Sequence, residues 1–329
     1  MINTIPNNEK DLVELVDRIT KKGNIDNISR AVFYDQFYLR HKEIIWGYLA
    51  SFVSRNAGWN MTDLEGELFT NLIPKGYREI LFLTYERANW LIFSDAYPQL
   101  LLYEASKQRR EPLFHLLKFF HVSKFMEKEW GRFWVERDIE RLCTALIINE
   151  QHVIQKPVIE DPFYDDTVFG SIPFFASDLL HFSTVIFPTL GGELYGYSVH
   201  GFTKEKNRIE LGKRLVWLLF AAKEKKKIRN FVSNVEHTGS RYDYEQFIAK
   251  ISRRRPPILQ STFPVIHHHR ADFTDWYNDK TARKVTCYFQ KTKLIKNYQI
   301  TNWYYQKQQQ LYVAAKLEQK LMALINVKK

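Results

Sequence analysis

Apolar residues recur along most of this chain at spacings of three and four, the period of an amphipathic helix. Over residues 11–20, Leu12, Leu15, Val16 and Ile19 share one face, and Gly23 follows the expected end. Residues 29–39 predict a second helix, crowded with Phe33, Tyr34, Phe37 and Tyr38, and residues 42–54 a third. Residues 77–94 are apolar around much of the circumference, which predicts a central, buried helix. Residues 97–106 and 112–120 follow, and 124–155 is the longest helical pattern. Residues 209–230, 243–251 and an amphipathic 303–325 complete the helices. The fold class is therefore mainly α: a helical bundle with a more irregular basic C-terminal lobe.

Two interruptions organise the chain. Residues 157–177 hold Pro157, Pro162 and Pro173 beside the acids Asp161, Asp165 and Asp166. This Pro-rich acidic connection predicts a helical lobe over 1–156 and a basic, mostly helical lobe over 178–329, either separate or packed as one domain. Beyond it, residues 178–183 read as a helical turn, and 184–188 and 193–199 flank Gly191 and Gly192 in the manner of one small β-hairpin.

The stretch from Ala50 to Leu64 concentrates the most chemistry. An apolar face runs into Arg55 and Asn56, and Ala57 with Gly58 reads as a helix end. Thr62 and Glu65 have capping-box spacing, so a further helix is expected over 62–72. Arg55, Asn56, Trp59, Asn60 and Asp63 crowd that corner. Fork donors, amides, a ring face and a carboxylate in nine residues suit an anion or small-ligand pocket. The structural alternative is that Asn60 or Thr62 caps a helix, Arg55 pairs with Asp63 and Trp59 plugs the core. His237 and Arg241 join the pocket candidates; there Ser240 and Asp243 also suit a plain helix start.

Composition changes the picture mainly through charge. The 329 residues carry a net +11, but residues 1–200 balance to −6 and residues 201–329 to +17. Such asymmetry points to a polyanionic partner. The candidate contacts are Lys225, Lys226, Lys227, Arg229, Arg253, Arg254, Arg255 and Arg270, supplemented by Arg283, Lys284, Lys291, Lys293 and Lys296. Interleaved aromatics, among them Phe231, Phe273, Trp276 and Tyr288, offer stacking surfaces for exposed bases. Cys143 and Cys287 are isolated, with no Cys-x-x-Cys, which fits a cytoplasmic protein with free thiols. The N-terminus lacks an apolar signal core, and the longest uncharged stretch, 179–192, is too short to span a bilayer.

Enzyme motifs are poor matches. Gly196 and Gly201 have phosphate-loop spacing, but Phe202-Thr203 follows, with Phe202 where the motif needs Lys. Gly196, Ser198 and His200 fall where a nucleophile elbow has Gly-x-Ser-x-Gly, with His in the tight second glycine position. His267, His268 and His269 have no Cys or carboxylate at ligand spacing, so neither a metal nor a cofactor is expected.

The segments Ile28-Ser29-Arg30, Arg40-His41, Ser54 to Leu64, Asn149-Glu150-Gln151 and Thr238 to Tyr244 resemble a YppC-like family of spore-forming Gram-positive bacteria, a domain of unknown function. The resemblance spans most of the chain and implies a bacterial cytosolic protein without adding a catalytic residue. Where the family usually has Pro, this chain has Lys42, which bears only on a helix start. The leading expectation is a non-enzymatic polyanion-binding protein, nucleic acid first, acting through residues 204–296. The alternatives are an enzyme or small-ligand protein centred on the Arg55–Asp63 corner, and a peripheral protein at an anionic membrane surface.

Overall fold

The computed structural model describes residues 5–164, 183–248, 256–270 and 273–327, with side chains as far as 320. Arg253, Arg254, Arg255, Asp165, Asp166, Pro173 and the turn expected over 178–183, Ser183 apart, lie outside those residues.

The architecture is mainly α-helical with one two-stranded hairpin. The first half comprises α1 (Glu9–Gly23), α2 (Asn27–Arg40), α3 (Ile45–Asp63), α4 (Glu67–Leu72), α5 (Lys75–Arg109), a 3-10 segment (Phe114–Phe120), α6 (Lys124–Glu136) and α7 (Ile139–Ile154). A π turn (Gln155–Ile159) and the one-turn α8 (Pro162–Tyr164) follow. Strands β1 (Thr184–Pro188) and β2 (Leu194–Ser198) pair antiparallel, from Thr184 opposite Ser198 to Pro188 opposite Leu194. Then come α9 (Glu205–Phe220), α10 (Lys225–Asn234), the short turns α11 (Tyr242–Glu245) and α12 (Leu259–Thr262), α13 (Asp279–Tyr288) and α14 (Thr301–Val327).

Local chemistry explains many boundaries. Asn8, Asp26, Ser123 and Asp138 each accept a backbone N–H at a helix start. The pattern over 124–155 is two helices, because Arg137 turns left-handed (φ 57°) and Asp138 caps a new one. The pattern over 77–106 is one 35-residue helix with Pro98 inside it. Burial on both sides of Pro98, including Leu100, Leu101 and Tyr103, holds the helix together across the missing donor. The stretch expected as one helix over 209–230 divides at residues 221–224 into α9 and α10, and of that expected over 243–251 the described part, 243–248, holds only the turn α11, with 249–251 outside the described residues.

The corner at Gly58 departs most from expectation. α3 does not stop there; it continues to Asp63. A Cβ at Gly58 would stand 3.2 Å from the His237 ring and 3.4 Å from the Gly239 backbone. Close approach of a distant segment, not a helix end, is why glycine sits here. The Thr62 hydroxyl caps nothing. Its one hydrogen has the Gly58, Trp59 and Gly239 carbonyls in range, Gly239 O nearest at 2.5 Å, and α4 starts after Gly66.

The largest core cluster runs from Leu12 on α1 to Tyr288 on α13, with Trp46, Phe52, Phe93 and Trp130 fully buried. Stacked rings, such as Phe93 on Tyr97 and Phe114 on Trp130, account for the high aromatic content as packing. Among the described residues, no helix is long and apolar enough to cross a membrane.

Candidate polyanion-binding cleft

The Arg55–Asp63 corner is a buried polar network. Trp59 is 1% exposed, and its Nε1 donates to Asp243 Oδ2 at 2.9 Å. The same carboxylate caps the following turn: Thr238 N donates to Oδ2 at 3.1 Å and Thr238 Oγ1 to Oδ1 at 2.5 Å. His237 Nδ1 lies 3.3 Å from Asp243 Oδ2, and burial pushes its pKa down. Asp63 pairs with Arg241, not with Arg55. Burial raises the Asp63 carboxyl to about 7, with the Arg241 guanidinium pulling the other way. Arg55 instead donates Nη1 to Val235 O at 3.3 Å, while Asn60 is half-buried at the end of the same helix.

This network fixes two elements that meet elsewhere. Asn56 works as a surrogate strand residue: its Oδ1 accepts Ile186 N at 2.7 Å, and its Nδ2 donates to Ile186 O at 2.9 Å, which fastens β1 to α3. Arg241 Nη1 donates to the Tyr304 hydroxyl at 2.9 Å, and that hydroxyl donates to Glu245 Oε1 at 2.5 Å, which fastens α14. The start of α14 is also tied to β2. Ile300 N donates to Leu194 O and Gly196 N to Tyr298 O, each at 2.9 Å, so residues 298–300 form a short third strip along the hairpin.

Between these elements opens a cleft of about 930 Å³. Residues 196–200 of the hairpin floor it, α9 and α13 wall it, and Trp303 on the first turn of α14 closes one side. Among the described residues, Lys206, Arg214, Lys284 and Lys291 line it against one carboxylate, Glu210. The walls are braced from behind. Lys213 Nζ donates to Tyr288 O at 2.9 Å and Gln290 O at 2.5 Å, and the Tyr288 hydroxyl donates to Glu205 Oε1 at 2.6 Å. Burial works against the charge of Glu205, but hydrogen bonds from Lys284 and Tyr288 hold its carboxyl below the usual range.

The α10 cations and Arg270 are not among the residues that line this cleft. Lys225, Lys226, Lys227 and Arg229 are exposed on α10; Lys227 pairs with Glu193 at 3.1 Å and Arg229 sits over the Tyr48 ring. Arg270 sits over the Phe273 ring at 5.8 Å. Ser198 and His200 line the cleft floor, where Ser198 Oγ bonds Thr184 Oγ1 at 2.7 Å and the exposed His200 gives its carbonyl to Asn207 Nδ2 at 2.7 Å. His268 packs on Trp90 with ring centroids 5.5 Å apart, and burial lowers it to about 4. Among the described residues, no group of three or more His, Cys, Asp or Glu is placed to hold a metal ion. Lys206, Asn207, Arg214 and Trp303 were not singled out as binding residues from the sequence. A face count on α9 was the available signal, since positions 206, 210 and 214 recur every four residues.

The fold and cleft define a mainly helical protein that presents a basic groove floored by its hairpin. The chain belongs to the family described as "Protein of unknown function (DUF2515)", whose model matches residues 22–305. It is 50% identical over 311 residues to "Uncharacterized protein YppC" of Bacillus subtilis (strain 168), covering 94% of this chain and 96% of that relative. No solved structure matches the chain.

Proposed function

We propose that this chain is a non-enzymatic protein that binds a polyanion, nucleic acid first, in the cleft between α9 and α13. One observation carries the reading: among the described residues, four cationic side chains line one groove against one lining carboxylate, Glu210, with Lys284 also paired to Glu205 at its edge. Clustered Lys and Arg neutralise phosphates and release their counterions, a gain that needs no sequence-specific geometry. The excess of +17 over residues 201–329 supports the same assignment, because pairing with the −6 of residues 1–200 leaves most of it uncompensated. We read the Arg55–Asp63 corner as the foundation of this groove, since Arg241 pairs with Asp63 and Trp59 and Thr238 donate to Asp243, while Arg55 Nε, Arg241 Nε and His237 Nε2 stay buried without a hydrogen-bond partner among the described residues. We place the protein in the cytoplasm, in keeping with its two unpaired thiols.

The test is a salt titration of binding to labelled DNA and RNA by fluorescence anisotropy. Affinity is expected to fall steeply with salt, and Lys206→Ala and Arg214→Ala are each expected to flatten the logarithmic slope by about one unit. Absence of binding to any nucleic acid at low salt refutes the reading.

A further inference from the structure

Resting on that reading, we infer that the cleft takes a single, unpaired strand of nucleic acid, with a base laid against Trp303. The cations form two groups and not one patch. Lys284 is tied to Glu205, the neighbour of Lys206, so those two mark one end. Arg214 Nε donates to Lys293 O at 3.3 Å, beside Lys291, so those two mark the other. Lys206 and Arg214 are eight residues apart on one helix, about 12 Å along its axis. Successive phosphates of one strand can therefore occupy the two ends.

Glu210 lies midway, one helical turn from each end, and is the carboxylate of the cleft. Its carboxylate accepts from Lys213 Nζ at 3.3 Å, so the middle of the cleft is close to neutral and favours a strand whose phosphates are separated by neutral units over a continuous polyanion such as polyphosphate. A base with an exocyclic amine can donate to the remaining acceptor positions of Glu210. Trp303 supplies a ring at the cleft wall, and Asn207, Asn297 and Gln299 supply amides for base edges. Duplex recognition needs a helix or ribbon that projects into a groove of the nucleic acid. Here the protein surface is concave, with the basic residues on its walls. Concave basic grooves with an aromatic platform suit single strands, whose bases are free to stack.

The test uses the full chain, fluorescein-labelled single-stranded DNA and RNA dodecamers, the matching duplex, and polyphosphate as competitor. Single strands are expected to bind about tenfold or more tighter than the duplex at equal salt, with the DNA and RNA arms deciding which backbone is preferred. Trp303→Ala is expected to weaken single-strand binding by about 5- to 100-fold while leaving the salt slope unchanged, and Trp303→Phe to retain most of it. Equal affinity for duplex, or polyphosphate competing as well as a single strand of equal charge, overturns the single-strand inference and leaves polyanion binding standing. Unchanged affinity of Trp303→Ala does the same. The wild-type comparison of strand forms decides the matter even if the alanine variant fails to fold. No binding of any polyanion overturns both.

Discussion

The indole of Trp59 donates to the carboxylate of Asp243 across 184 residues of chain. The pair is buried, and the same carboxylate organises Thr238 and faces His237. Trp59→Ala therefore removes a large buried ring and leaves one acceptor short of a donor. Chemical denaturation is expected to show a loss of about 3–5 kcal/mol. A midpoint within error of wild type would contradict the buried placement.

Asn56 stands in for a strand neighbour of Ile186. Asn56→Ala would strand a buried N–H and a buried carbonyl on β1, at a cost of about 1–3 kcal/mol for each group left unpaired. The expected signature is local: hydrogen exchange at the Ile186 amide accelerates more than exchange in α5. Uniform acceleration throughout the chain would show that the anchor is not local.

Asp95 accepts from Asn149 Nδ2 at 2.5 Å and Gln99 Nε2 at 2.7 Å, and burial raises its pKa from 3.8 to about 6. A carboxyl that is raised on folding takes up a proton as the chain folds. Between pH 3.8 and about 6, its contribution is therefore favourable at the acid end and is lost as pH rises. Asp95→Asn keeps the acceptor oxygen without the titration. Denaturation midpoints at several pH values are expected to show the wild type losing stability relative to Asp95→Asn across that window. A constant difference between the two proteins would refute the shift.

Cys143 is buried and burial pushes its thiol up, whereas Cys287 is exposed in the cleft. Thiol titration of the native, non-reduced protein is expected to find one fast-reacting sulfhydryl, and the unfolded protein two. Saturating polyanion is expected to slow the fast one. A native protein in which both thiols react at the same rate would place Cys143 at the surface.

The legible parts of this molecule are those whose reasons are local. The hairpin shows in the Gly191–Gly192 break between two short apolar runs, and α1, α2 and α14 show in their helical period. Trp59 was readable as a core residue from its size and setting. The end of α3 was not readable, because Gly58 owes its identity to a histidine 179 positions later. Nor was the partner of Asp63: Arg55 sits eight residues away on the same helix, but Arg241 approaches from another segment. The cleft was only half legible. Lys284 on α13 and Lys291 just beyond it stood out within a basic run, whereas Lys206 and Arg214 belong to a helix that looks ordinary until the hairpin and α14 are set beside it.

The strip formed by residues 298–300 along β2 has a consequence for biosynthesis. The hairpin floor and the α9 and α13 walls of the cleft are translated first, and Trp303 and the backbone partners of Leu194 and Gly196 follow them. A ribosome-bound chain still awaiting that segment has its helical core and no completed groove. The groove is thus completed only once residues 298–303 have been made and have folded back onto β2.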